Sequence, residues 1–175
     1  MSRKKFNIRK IRSFFLNAAL LVAIFFGVSA FQSRNMLATD GELAPALKGV
    51  TLAGEAYDLL DAGDRPALVY FFAPWCRICA LSADNLNRLR RWRDAGDIEI
   101  VAVGLDWSTF EEVRDYVERH ELGVTIVLGD ADVARQWKIQ AYPSYYVLDS
   151  EHRIVRRDIG YSTQFGLWWR ALVIS

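Results

Sequence analysis

Sulfur and imidazole are scarce in this chain: 175 residues hold two cysteines, two histidines and two methionines. A structural zinc centre takes four ligands. Cys76, Cys79, His120 and His152 would all have to serve, and the two histidines fall at a predicted helix end and in a predicted turn between strands. No metal is assigned. Met1 and Met36 lie outside the predicted domain, so no thioether stands near the cysteines to help hold a soft ion such as Cu(I). Internal repeats and low-complexity stretches are absent.

A basic surplus is missing too, once the first residues are set aside. Residues 1–12, "MSRKKFNIRKIR", hold six of the 22 Lys and Arg and no acid; the other 16 face 21 Asp and Glu, a formal charge of −5. Phosphate backbones need a basic surface, so nucleic acid is not a partner.

Charge is also absent from residues 14–31, "FFLNAALLVAIFFGVSAF". At 1.5 Å per residue a helix of that length spans about 27 Å, close to the hydrocarbon thickness of a bilayer. The basic cluster before it puts residues 1–12 in the cytoplasm and the rest outside. The organisation follows: a basic tail at 1–12, a transmembrane signal anchor at 13–31, a linker at 32–44 and a folded domain at 45–175. A cleaved signal peptide ending at "GVSA" is the competing reading, though its apolar core would usually be shorter. Both readings export the domain, to where a disulfide can persist.

Within the domain, "GVTLAGEAYDLL" has Gly54 between short apolar runs and predicts a hairpin, and "ALVYFFA" (67–73) predicts a buried central strand. Leu81, Leu86, Leu89 and Trp92 recur at roughly helical spacing over 77–94. "IEIVAVGL" (98–105) reads as a second buried strand. Ser108 and Glu111 make a capping-box signature before a helix with Phe110, Val113 and Val117 on one face and Gly123 as its stop. "VTIVLGD", "SYYVLD" and "RIVRRDIG" predict further strands, "ADVARQW" a short helix and Thr163–Val173 a closing helix. The alternation implies an α/β sheet with helices on both faces.

Both cysteines sit in "PWCRICA", where the central strand gives way to a helix. Cys76 falls at the helix N-terminus, where unpaired amides and the helix dipole favour a thiolate, and Arg77 adds a positive charge. Cys79, one turn inside, is shielded and suited to resolving a mixed disulfide. A purely structural bridge closing so short a loop would constrain little of the unfolded chain. Redox exchange is the use that fits.

"VYFFAPWCRIC", the later "AYPSYYVLD" and the order of elements between them resemble the membrane-anchored thioredoxin-like proteins of Gram-negative bacteria, the TlpA, ResA and DsbE group. The basic tail and anchor, "PALKGVTLAGEAYDL" and "GYSTQFGLWWRAL" are most similar to its suppressor-of-copper-sensitivity D branch. The resemblance implies a thioredoxin fold, a central mixed sheet flanked by helices, with an N-terminal hairpin extension. It implies that Cys76 attacks and Cys79 resolves, that Pro143 is cis and substrate-facing, and that Tyr142 before it pairs with an extended substrate segment. Trp75 lies over the site, with Arg77 and Ile78 between the cysteines. The alternative for Trp75 is a core position.

Some positions depart from the group. Where thioredoxins carry a buried acid six residues before the first cysteine, Tyr70 stands; where many relatives have Glu three residues after the second, Ser82 stands. Tyr142 is bulkier than the Thr or Val expected there, and Arg-Ile replaces the usual pair between the cysteines. Asp106 reads as a solvated loop acid, and Trp168 with Trp169 as helix packing.

The function expected is a membrane-tethered periplasmic thiol-disulfide oxidoreductase of the bacterial inner membrane, reducing protein disulfides with electrons from a membrane donor of the DsbD type. It needs no cofactor beyond the Cys76–Cys79 disulfide. Thiol oxidase or isomerase action and copper handling by the same cysteines are the alternatives. A peroxidatic Thr-x-x-Cys site is excluded, because Ala73 occupies the threonine position.

Overall fold

A computed structural model describes residues 36–93, 96–162 and Gly166, together with Asn17, Leu20, Ile24 and Gly27. Two compact units divide at Asn35/Met36. In the first, the four described residues are helical. Most of the predicted anchor, all of the basic tail and, apart from Gly166, the closing helix Thr163–Val173 with Trp168 and Trp169 lie outside the described residues. No helix among the described residues is long and apolar enough to cross a membrane.

The second unit is built on one seven-stranded sheet. Its strands are β1 (Lys48–Thr51), β2 (Ala56–Asp58), β3 (Ala67–Phe72), β4 (Glu99–Gly104), β5 (Thr125–Leu128), β6 (Ser144–Leu148) and β7 (Ile154–Ile159). They lie in the order β2-β1-β5-β4-β3-β6-β7. β3, β4 and β5 run parallel, joined through α1 (Arg77–Trp92) and α2 (Phe110–Arg119). The short α3 (Ala131–Gln136) leads to β6, which turns antiparallel against β3, and β7 closes that edge. The hairpin β1–β2 pairs Lys48 with Asp58 and extends the sheet beyond β5, with Gly54 at φ +85° in its turn. This is the predicted mixed sheet.

All six residues of β3 are buried, and the pleat sends alternate side chains to opposite faces. Leu68, Tyr70 and Phe72 meet α1 and α2 through Cys79, Leu86, Val113 and Tyr116. Ala67, Val69 and Phe71 enter a second core with Trp137 at the end of α3, Leu47 and Met36. A strand covered on both faces needs an unbroken apolar run, which "ALVYFF" supplies.

Three local expectations shift. The buried stripe of α1 is Cys79, Ser82, Ala83, Leu86 and Leu89, while Leu81 and Trp92 are each 68% exposed. At about 100° per residue Leu81 falls well off that stripe. The cap of α2 is Thr109, whose hydroxyl accepts the Glu112 N–H, while the Glu112 carboxylate accepts from Ser108 N–H at 3.0 Å. The capping pair is thus one residue later than Ser108 and Glu111. The helix ends at Arg119 with His120 as its cap, and Glu121 just beyond takes the left-handed φ of +48°; Gly123 instead donates its N–H to the Asn87 side chain.

Part of the expected linker is docked. Met36 is 4% exposed, Leu43 bridges to Arg153, and the Ala44 N–H donates to the His152 carbonyl. Arg157 donates to the carbonyls of Met36 and Leu37, and Arg153 to that of Gly41. Polar residues without periodicity read as a linker, yet their peptide groups find partners along β7.

Candidate functional site

Cys76 and Cys79 form a disulfide with Cα atoms 5.2 Å apart, at the junction where β3 ends and α1 begins. Cys76 is the N-cap of α1: its backbone is extended and its Sγ accepts the Cys79 N–H at 3.1 Å. An N-terminal helix amide has no intrahelical partner, so a side-chain acceptor at the cap is where one is needed. The sulfurs differ in access. Cys79 is fully buried, and Cys76 is 7% exposed.

Around Cys76 the surface is apolar and aromatic. Trp75 is 62% exposed, which overturns the core alternative for it, and its indole N–H donates to the Asp106 carbonyl at 3.0 Å. Its ring meets Tyr142 edge to face, centroids 5.7 Å apart. Ile78 and Arg77 are exposed on the first turn of α1. The Tyr142–Pro143 bond is cis, as the resemblance implied. Pro143 is buried and its carbonyl accepts the Gly160 N–H at 2.8 Å, while Ser144 Oγ donates to the Ala141 carbonyl at 2.7 Å. Those bonds fix the loop on both sides of Tyr142. Tyr142 packs against both cores, including the one that contains the cysteines. The structure thus gathers Trp75, Cys76, Arg77, Ile78, Cys79, Tyr142 and Pro143 on the elements around one end of β3.

Beside this rim lies a cleft of about 400 Å³ lined by Asp106, Trp107, Gly129, Asp130 and Tyr142 among others. Trp107 in its lining shares its indole N–H between the carbonyls of Gly104 and Gly129. Asp106 is exposed, with φ +52°, as expected of a loop acid. Its backbone carbonyl holds Trp75. Burial raises the Tyr142 phenol above its ordinary range, and the Asp106 carboxylate raises it further.

The positions that lack the expected acids have other occupants. Tyr70, fully buried, donates its hydroxyl to the Cys79 carbonyl at 3.1 Å. Burial holds its phenol well above the ordinary tyrosine range, with Tyr116 and Tyr145 adding to the shift. Ser82, also fully buried, donates to the Ile78 carbonyl at 3.0 Å. Composition signals neither contact. The period of two in β3, which puts Tyr70 on the same face as Leu68 and Phe72, is the signal that could have found the first.

The histidines stand apart from the sulfurs. His120 caps α2 and lies against Tyr116, and His152 is buried in the turn before β7 with φ +58°. Among the described residues no His, Asp or Glu joins the two cysteines in a group able to hold a metal.

The family model for Redoxin matches residues 39–165 of the chain. The thioredoxin-like protein YneN of Bacillus subtilis is 27% identical over 127 residues, which is 71% of this chain and 74% of that protein. A thioredoxin-like protein of Haemophilus influenzae is 25% identical over 122 residues, 69% of this chain and 68% of its own length. Among solved structures, the thioredoxin domain of a thiol-disulfide oxidoreductase from Bacteroides vulgatus superposes with a TM-score of 0.70 at 23% identity, covering 79% of this chain and 99% of that one. A secreted disulfide oxidoreductase of Mycobacterium tuberculosis, homologous to DsbE of E. coli, gives 0.64 at 18% identity, over 73% of this chain and 95% of that one. These two likenesses show the fold. With the family match spanning most of the chain and a Cys-x-x-Cys disulfide at the head of α1, this chain belongs to the Redoxin family, as a thioredoxin-like thiol-disulfide oxidoreductase.

Proposed function

We propose that this chain is an exported, membrane-tethered reductase of protein disulfides that cycles Cys76 and Cys79 between dithiol and disulfide without a further cofactor. The observation that supports it best is the Cys79 N–H directed at the Cys76 sulfur at 3.1 Å, at a helix N-terminus. In the reduced protein that amide and the helix dipole favour a thiolate on Cys76, the more accessible sulfur. Cys76 attacks a substrate disulfide; a bond forms to one substrate sulfur, and the other leaves with the electron pair. Cys79 then attacks Cys76, the mixed disulfide breaks, and the substrate dithiol departs as the Cys76–Cys79 bond closes. Two electrons pass to the substrate, and a membrane donor of the DsbD type restores them.

The rim gives each predicted site residue a part. Tyr142 has no backbone hydrogen bond of its own among the described residues and is available to an extended partner segment in strand-like pairing. Trp75 and Ile78 offer apolar contact beside Cys76, Arg77 supplies positive charge, and Pro143 holds Tyr142 in place. Anchoring in the inner membrane with a periplasmic domain rests on the basic tail and the uncharged run at 14–31. Membership of the suppressor-of-copper-sensitivity D branch rests on the sequence motifs.

A Cys79→Ser variant tests the activity, because it cannot complete the second step and should accumulate a mixed disulfide on Cys76 with its protein partners. A variant that yields no thiol-sensitive adduct, in a chain that binds Cu(I) stoichiometrically and reduces no disulfide, would establish copper handling instead. The direction is tested by the potential: below about −200 mV fits a reductase, and near −120 mV an oxidase.

A further inference from the structure

Cys79 is held at both of its peptide groups. Its N–H is given to Cys76 Sγ, and its carbonyl receives the hydroxyl of Tyr70 from the strand beneath, each at 3.1 Å. The ring of Tyr70 is closely confined. The residue is fully buried, its ring lies 5.0 Å from that of Tyr145, its register partner on β6, and 5.9 Å from that of Phe72 on its own strand. This phenol therefore ties the first turn of α1 to the central strand at the residue that must carry out the second step of exchange.

We propose that Tyr70 is a positioning residue for that step: its hydroxyl holds Cys79 in line for attack on Cys76 and takes no part as a base, so the Cys79 proton leaves to water. The proposal rests on the redox reading above. In the step concerned, the Cys79 sulfur gives up its proton and bonds to Cys76. The bond from Cys76 to the substrate sulfur breaks, and that sulfur leaves with the electron pair and takes a proton from water. Holding the attacking group near its line of approach is a large lever on such a reaction.

Among the described residues no carboxylate or imidazole is bonded to Cys79 to take the proton. The titratable side chains of the core that holds Cys79 are Tyr70 on β3, Tyr145 on β6 and Tyr116 on α2, with Tyr142 before the cis-proline packed against that core and Arg77 exposed on α1 itself. Asp106 reaches the site only through its carbonyl to Trp75 and its field on Tyr142. No Asp, Glu or His among the described residues hydrogen-bonds either cysteine. Burial keeps Tyr70 protonated through the neutral range, which suits a donor and not a base.

The two steps can be read separately by mixing the reduced full chain with dithiobis-nitrobenzoate, since the first released aryl thiolate reports attack by Cys76 and the second reports resolution by Cys79. Tyr70→Phe keeps the ring and removes the hydroxyl. The first phase should be unchanged and the second slowed about two- to tenfold, the loss expected for one buried hydrogen bond. In the wild-type chain the second phase should climb with pH through the neutral range and beyond it, because burial raises the Cys79 thiol, without a plateau near neutral pH. A second phase of unchanged rate in Tyr70→Phe overturns the positioning role. A plateau near neutral pH in the wild type reveals an internal base and overturns the proton assignment, whether or not the variant folds. Absence of any first phase overturns the redox reading, and this inference with it.

Discussion

Cys76 and Cys79 are chemically identical side chains three residues apart, and their surroundings make them unlike. Cys76 is the N-cap of α1 with an extended backbone, so its sulfur turns back over the open amides of the helix and accepts one of them. Cys79 sits a turn further on, inside the core, with its carbonyl tied to Tyr70. The expected consequence is a Cys76 thiol that, once reduced, titrates below the ordinary thiol range. Arg77 adds to this through an exposed guanidinium, so its effect is modest and screened by salt. Arg77→Glu should therefore raise the midpoint of Cys76 alkylation against pH, by less at high salt, while Arg77→Lys leaves it nearly unchanged. A midpoint indifferent to charge reversal at low salt would assign the activation to the helix alone. Tyr142 and Trp75 were legible as site residues from their neighbours in the chain. Their edge-to-face contact was not, because it joins loops separated by dozens of residues.

At the scale of elements, periodicity was a good guide to existence and a poorer one to phase. The hairpin, five further strands and three helices lie where alternation and helical spacing put them. The face of α1 did not, since Leu81 is apolar yet points away from the stripe that Cys79, Ala83, Leu86 and Leu89 bury. Polar Ser82 and Asn85 are buried in its place because each has a partner: Ser82 the Ile78 carbonyl, Asn85 the Ser162 carbonyl at 2.8 Å. Gly129, at the end of β5, shows how close the packing is beside the cleft. A Cβ there would lie 2.6 Å from Leu105 Cδ2, 2.7 Å from Val103 Cγ1 and 3.3 Å from the Gly104 carbonyl. Both side chains belong to buried residues, and the third neighbour is backbone. Gly129→Ala should destabilise the domain by about 1–3 kcal/mol, the usual cost of overpacking. A denaturant midpoint equal to that of the wild type would show that β5 can shift to make room.

At the scale of the whole domain, the core between the sheet and α1 and α2 holds three buried phenols among the described residues, Tyr70, Tyr116 and Tyr145. Burial pushes Tyr116 up to about 12 and Tyr70 well above the ordinary range. A group raised on folding contributes stability that is fully present below its unfolded value and is lost as pH rises through its folded one. For tyrosine the unfolded value is about 10. Thermal stability should thus not be lost to these two groups up to about pH 9 and should fall above about pH 10, with their phenolate absorbance appearing together with unfolding. Complete titration of all tyrosines in a chain that remains folded would contradict the burial of Tyr70 and Tyr116. The same scale explains the docked segment at 36–44. Its side chains carry no pattern, but Arg153 just before the edge strand and Arg157 on it collect its carbonyls, and Met36 fills a place in the second core.

The class of chemistry and the order of elements could be read from the chain because both are local. A Cys-x-x-Cys pair between a buried run and a helical run, and the alternation of strands and helices, involve residues close together in sequence. The phase of α1, the hold of Tyr70 on Cys79, the contact of Trp75 with Tyr142 and the docking of residues 36–44 depend on which distant groups meet. Those meetings follow from the pairing of β3 with β4 and β6 and of β6 with β7, which brings residues far apart in the chain into contact.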